Sequence, residues 1–323
     1  MNPSVVTLCM NPALDITTNT DVVRPTDKLR CGPPRYDPGG GGVNVAHVAA
    51  VLGASAAAVF PAGGPAGELV HQLLVAEGLP VRRVPIGGAT RESLTVNETS
   101  TGRQYRFVLP GPQLTAAEQA QCLLALRTEV TAATAGTPLV VASGSLPPGV
   151  PDDFYQQVAN LCDEAGALLL LDTSGGGLRQ VNSGVFLLKP SLRELREWVG
   201  RGLATETEQL AAAHELVGRG VARHLLVSLG AAGAVLVSGD GAQRFAPVPV
   251  PPGSGVGAGD AMVAGVAVGL TRGWTLTEAV RLGVAAGAAM LLTPGTAPCT
   301  REDTERLFSR TAQPVPLDVP EGV

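Results

Sequence analysis

Short apolar runs recur along the chain, each followed by a polar turn and then by a stretch with helical periodicity. Runs at 5–9, 139–142, 168–171, 185–188 and 224–228 are continuous rather than alternating. That pattern predicts strands covered on both faces. Residues 55–86 read as strand, helix, strand, with the helix at 68–77, and two more strands are expected at 234–238 and 243–248. Helical patterns fall at 45–52, 115–133, 152–165, 192–199, 206–219, 260–272, 276–292 and 301–312. Repeated strand–helix alternation predicts an α/β fold, a doubly wound and mainly parallel sheet flanked by helices.

Two stretches break the rhythm. Residues 17–36 are polar, punctuated by proline and β-leaning, while 91–99 and 104–109 read as a hairpin. In the second arm Tyr105, Phe107 and Leu109 alternate with Gln104, Arg106 and Val108, the period of a half-covered strand. A small projecting β-sheet built from about 17–36 and 90–109 is therefore expected. Its open face and edges would need to lid a cleft or meet a second subunit. The reading is one domain over 1–313 carrying this lid, with 314–323 as a loose tail.

Composition narrows the class. The 323 residues are 45 % hydrophobic, 16 % charged and only 3 % aromatic, which fits a globular chain with closely packed small-residue helices. A net charge of −5, with 23 basic residues and no long basic run, argues against nucleic acid as a partner. Five scattered cysteines (Cys9, Cys31, Cys122, Cys162, Cys299) form no C-x-x-C pair, so neither a zinc site nor a disulfide framework is indicated. No run of 18 apolar residues and no basic-then-apolar leader is present; a cytoplasmic protein without a membrane segment is expected. His47, His71, His214 and His224 fit helix faces or a strand start and read as structural.

The candidate chemistry lies in two glycine loops that run into helices. Gly253-Ser254-Gly255-Val256-Gly257-Ala258-Gly259-Asp260 can turn backbone N–H groups toward one point, where the start of a helix adds partial positive charge. This is an anion cradle with a carboxylate at its rim. Asp260 is either the base that accepts a proton from an attacking hydroxyl or a helix cap. Earlier, Gly39-Gly40-Gly41-Gly42-Val43-Asn44 opens a second helix; four glycines are costly in chain entropy, so something must approach that backbone closely. Asp15 follows the first strand, at the edge where open α/β sheets bind ligands, or simply serves a turn. Asp172 ends another strand, on a nucleotide or for structure.

Gly39-Gly40-Gly41-Gly42-Val43-Asn44-Val45-Ala46 and 253–265 resemble the two signatures of the PfkB (ribokinase-like) carbohydrate kinases. The resemblance extends through MNPALD, KLRC, QYRFVLPG, SGSLPPG, LLKPSLRE, VSLG and VGAGDAM, and so spans nearly the whole chain. It implies a ribokinase-like fold and ATP-dependent phosphorylation of a sugar phosphate. Asp260 matches the general base, and the N–H groups of Gly257, Ala258 and Gly259 the anion hole. Asp15, Gly40, Gly41 and Asn44 match groups that hold sugar hydroxyls. Lys28, Arg30, Arg91 and Arg106, with Ser145 nearby, match positions around the substrate phosphate. Lys189, Ser191, Ser228 and Gly230 match nucleotide contacts, and Glu194 the acid that organises Mg²⁺ through water. The carbonyls of Ser254 and Val256, with the turn at 290–295, would form a K⁺ site.

Two departures stand out. Ser191 replaces the asparagine of Lys-Pro-Asn-x-x-Glu, and Gly255 replaces a frequent threonine; weaker ATP or Mg²⁺ affinity is the expectation. The pattern is similar to that of ATP-dependent kinases of fructose 6-phosphate. Kinases of fructose 1-phosphate or tagatose 6-phosphate are the near alternative, disfavoured because the first glycine motif lacks their lysine. A non-catalytic sugar-phosphate sensor is the alternative from another class. A homodimer through the lid is what the family and the projecting sheet imply.

Overall fold

The computed structural model describes residues 4–133, 136–251, 253–293 and 297–318. Its strands, in chain order, are β1 (Val5–Leu8), β2 (Ala13–Thr20), β3 (Arg35–Gly39), β4 (Ala56–Ala62), β5 (Val81–Pro85), β6 (Arg91–Glu98), β7 (Gln104–Val108), β8 (Leu139–Ser143), β9 (Leu168–Asp172), β10 (Val185–Leu188), β11 (Ala222–Ser228), β12 (Ala234–Ser238), β13 (Gly241–Phe245) and β14 (Val315–Leu317). The helices are α1 (Gly41–Val51), α2 (Gly64–Ala76), α3 (Ala116–Ala132), α4 (Phe154–Glu164), α5 (Gly175–Arg179), α6 (Leu192–Val199), α7 (Glu206–Gly218), α8 (Ala258–Thr271), α9 (Leu276–Met290) and α10 (Arg301–Phe308).

Ten strands form the main sheet in the order β14-β13-β12-β11-β10-β9-β8-β1-β4-β5. From β5 to β11 neighbours run parallel, and β12 to β14 are added antiparallel. The chain leaves β1 first toward β4 and later returns on the other side at β8, so the strand order reverses at β1/β8. Such a reversal opens a crevice at the carboxyl edge. Alternation within the strands feeds two cores. Val5 and Cys9 of the first strand region, with Leu139 and Val141 of β8, face α1, α8 and α9. Val6, Leu8, Val140 and Ala142 face α3, α4 and α7.

The expected projecting sheet is present, with four strands in the order β3-β2-β6-β7. It begins earlier than expected, at Ala13, and its central pair β2/β6 is parallel. Other differences have local causes. Helix α1 begins at Gly41, not near 45, because the glycines themselves take helical geometry once packed. The three glycines of α5 carry no helical signal, and α5 was missed. Val315–Leu317 is not loose but pairs with β13, Val315 opposite Arg244 and Leu317 opposite Ala242. Its Pro316 is tolerated because β14 is an edge strand. Residues 319–323 of the expected tail lie outside the described residues. Among those described, no helix is long and apolar enough to cross a membrane.

Candidate active site

The carboxyl edge of the main sheet carries one polar group after another. Ser143 ends β8, Asp172 ends β9, Lys189 follows β10 and Ser228 ends β11. Each stands where a buried apolar strand runs out, so burial of the strand fixes its position. Ser143 and Asp172 lie in register, and the Lys189 ammonium pairs with Asp172 at 3.1 Å, both largely buried. Burial pushes Asp172 up, against the pull of Lys189, to about 6. Burial opposes the charge on Lys189, but Asp172 outweighs it and the ammonium's pKa is raised overall.

Helix α8 sets its N-terminus over this edge. Gly257 is the N-cap, in the left-handed region at φ 75°, and no side chain caps the helix. A Cβ on Gly259 would stand 3.4 Å from Lys189 Nζ and 3.7 Å from Asp172 Oδ2. The ion pair therefore lies directly beneath the first turn. Asp260 does not cap its own helix. Its Oδ2 accepts from Asn44 Nδ2 at 2.9 Å and its Oδ1 from the Ser143 hydroxyl at 3.0 Å. Burial raises its pKa, while these two donors work the other way. Of the three amides expected to form the anion hole, Ala258 N–H turns back to the Gly255 carbonyl at 3.3 Å.

The first glycine loop is shaped by the chain itself. A Cβ on Gly39 would meet the Asp15 carboxylate at 2.4 Å, one on Gly41 the Ser143 hydroxyl at 2.4 Å, and one on Gly42 the Leu8 carbonyl at 2.3 Å. Gly40, at φ 105°, would meet Cys9 and Pro12. The close approach that the glycines permit is thus between β1, β2, β8 and α1, and it delivers Asn44 and Ser143 to Asp260.

Asp15 faces the same crevice. Burial raises its pKa to about 6, with the charges of Arg91 and Arg106 opposing the rise. Arg91 is clamped by backbone, Nη2 donating to the Asn11 carbonyl at 3.1 Å and Nη1 to the Leu109 carbonyl at 3.4 Å. Ser145 joins through Asn11, whose Nδ2 donates to its hydroxyl at 3.2 Å. Lys28 and Arg30 lie on the exposed segment between β2 and β3, and no hydrogen bond or ion pair among the described residues ties their side chains to the cluster.

On the other side of α8 a cavity of about 690 Å³ opens, lined by Ser228, Gly230, Val248, Met262, Val284 and Leu291 among others. Ser191 bridges to Ser228 and caps α6 in a capping box with Glu194, whose Oε2 accepts from the Ser191 amide at 2.8 Å. The turn expected to complete a K⁺ site runs into 294–296, outside the described residues. Among those described, no cluster of three or more acidic, histidine or cysteine side chains could hold a metal. Two features escaped the sequence reading. Ser143, at the end of β8, and Asn11, in the turn between β1 and β2, touch the expected residues directly. The apolar cavity wall was read only as helix and strand core. Of the histidines, His47 lies 3.2 Å from Glu77 and His224 is hydrogen-bonded to Ser238.

Comparison with known proteins fits this geometry. The profile of the pfkB family carbohydrate kinases matches residues 8–303. The ATP-dependent 6-phosphofructokinase isozyme 2 of Mycobacterium tuberculosis is 61 % identical over 97 % of this chain and 91 % of its own. Its Escherichia coli counterpart is 40 % identical, over 94 % and 98 %. Crystal structures of phosphofructokinase-2 from Escherichia coli with potassium and with fructose-6-phosphate match at TM-scores of 0.89 and 0.87, with 39 % and 38 % identity. A tetrameric inhibited form of that enzyme matches at 0.87, with 39 % identity. All three cover 95 % of this chain and 99 % of their own. The chain belongs to the pfkB family of carbohydrate kinases.

Proposed function

We propose that the protein is an ATP-dependent 6-phosphofructokinase that transfers the γ-phosphoryl group of MgATP to the 1-hydroxyl of fructose 6-phosphate. The observation that carries this is the Asp260 carboxylate, in the first turn of α8, held by Asn44 and Ser143 between a polar crevice and an apolar cavity. Relatives of 61 % and 40 % identity bearing that activity in their names support the substrate.

The base and ribose of ATP occupy the cavity beside Ser228 and Gly230, and the phosphates extend toward Lys189 and the α8 N-terminus. Asp15 and Asn44 hold sugar hydroxyls, while Arg91, Arg106, Lys28, Arg30 and Ser145 surround the sugar's phosphate, a dianion that favours guanidinium partners. Asp260 takes the proton as the hydroxyl oxygen attacks the γ-phosphorus; the bond from that phosphorus to the β-bridging oxygen breaks and ADP leaves. A carboxylate with a raised pKa is the stronger base, and its acid limb lies above the ordinary carboxylate range. Gly257, Ala258 and Gly259 offer amides to the moving charge, Ala258 by giving up its bond to Gly255.

The donor set suits Mg²⁺, which keeps its waters and needs few carboxylates; Glu194 stands beside the nucleotide residues, and bound Mg²⁺ would neutralise phosphate charge. Ser254 and Val256 carbonyls are the proposed K⁺ ligands. The outer face of the small sheet supports a homodimer. Tyr36, Ile16, Leu94 and Phe107 form a cross-strand row, and three of them are 38–54 % exposed. We place the enzyme in the cytoplasm, with its substrates.

ADP release measured over fructose 6-phosphate, fructose 1-phosphate, tagatose 6-phosphate and unphosphorylated fructose tests the reading. The highest kcat/KM is expected with fructose 6-phosphate. A preference for another sugar, or tight binding with no turnover at all, would replace it with the rival kinase or the sensor.

A further inference from the structure

A line of amides crosses the cleft-facing side of the small sheet. Asn19 on β2, Asn97 on β6 and Gln104 on β7 lie opposite one another in register. Asn97 Nδ2 donates to Asn19 Oδ1 at 3.0 Å, and Gln104 Nε2 donates to Asn97 Oδ1 at 3.0 Å. The line continues out of the sheet. The Ser254 hydroxyl donates to Gln104 Oε1 at 3.3 Å, and Ser254 Oγ itself accepts from the Val256 amide at 3.5 Å. All three side-chain bonds point the same way, so each polarises the next.

Ser254 belongs to the loop that leads into α8. At one end of that loop Gly253 packs against the Leu291 carbonyl, and at the other Gly257 caps the helix. Between them Gly255 has open space around it, so packing restrains the middle of the loop very little. Among the described residues, the bond to Gln104 ties the middle of the loop to another element. An exposed bond of this kind adds little to global stability, but it fixes which way the loop backbone lies.

We propose that Gln104 is a positioning residue for the glycine loop: by holding the Ser254 hydroxyl, it couples the seating of the small sheet over the crevice to the placement of the amides at 257–259. Asn97 and Asn19 orient the Gln104 amide for that contact. The effect on turnover rests on the phosphotransfer reading above.

The test is a double-mutant cycle with a second readout that needs no turnover. Gln104→Met, which keeps the length and removes the amide, and Ser254→Ala should each lower kcat/KM about three- to tenfold. The double variant should fall no further than the worse single one, since both remove the same bond. Hydrogen exchange at 253–257 should quicken by a similar factor in each variant, with unchanged melting temperatures. Multiplying kinetic effects, wild-type constants or unaltered exchange would each overturn the proposal. A wild-type protein inactive on every sugar phosphate would instead refute the functional reading, and the exchange arm would still decide this one.

Discussion

At Asp15 burial and two guanidinium groups pull in opposite directions, and burial prevails: the pKa rises from an ordinary 3.8 to about 6. The folded state therefore binds this proton more tightly than the unfolded one. The benefit is complete below about pH 4 and is lost as pH rises through 6, so ionised Asp15 destabilises the fold at neutral pH, by up to about 3 kcal/mol. Asp15→Asn should raise the melting temperature at pH 8, with the gain fading below pH 6, while sugar binding weakens. A gain that grew toward low pH would contradict the assignment. Gly255 offers a second residue-scale test, because a Cβ there meets nothing within 4 Å and Asn caps a helix as well as Ser. Ser191→Asn with Gly255→Thr should lower the KM for ATP about threefold or more; an unchanged KM would show that neither departure weakens nucleotide binding. Asp260 was legible in the sequence because a carboxylate at the rim of an anion cradle demands a chemical reason. The partners that hold it were less so, since Asn44 and Ser143 are separated from it by 216 and 117 residues.

At the scale of elements, helix starts carried the clearest signals. Thr115 with Glu118, Ser191 with Glu194, Thr205 with Glu208 and Thr275 with Glu278 all close capping boxes, and their helices begin within a residue of where the pattern placed them. Where glycines open the helix, the start was blurred. Helix α1 opens on glycines, α5 is a glycine run, and β14 is three residues built around a proline; propensity opposes all three, and tertiary packing decides. The quadruple glycine was read correctly as a site of close approach, and the neighbours in the structure are other parts of the chain, side chains of Asp15, Cys9 and Ser143 as well as backbone. That gives an element-scale prediction. Gly41→Ala drives a methyl to 2.4 Å from the Ser143 hydroxyl and 2.8 Å from the Gly144 amide. It should cost about 1–3 kcal/mol of stability and, by displacing the group that holds Asp260, up to about a hundredfold in kcat. Gly202→Ala, with nothing within 4 Å, serves as the control and should change neither.

At the scale of the whole molecule, the parallel sheet gathers the polar groups at its carboxyl edge, and the small sheet reaches the loop before α8 through Gln104 and Ser254. Strand–helix alternation disclosed the first, and hairpin alternation disclosed the second. What alternation could not disclose was which face of the small sheet turns inward. The amide line to Ser254 marks the inner face, and the Tyr36–Ile16–Leu94–Phe107 row is left on the outer one. Phe107→Asp should therefore weaken self-association about tenfold or more in light scattering, without loss of helical content; an unaltered molecular mass would place the interface elsewhere. The most direct test of the whole account is product formation by wild type and Asp260→Asn, followed by ³¹P spectroscopy with MgATP and fructose 6-phosphate. Fructose 1,6-bisphosphate should form with the wild type, and kcat should fall about 10²–10⁴-fold in the equally stable variant, as expected of a base at Asp260. Wild-type kcat in Asp260→Asn, or a phosphoryl group found elsewhere than the 1-hydroxyl, would contradict it.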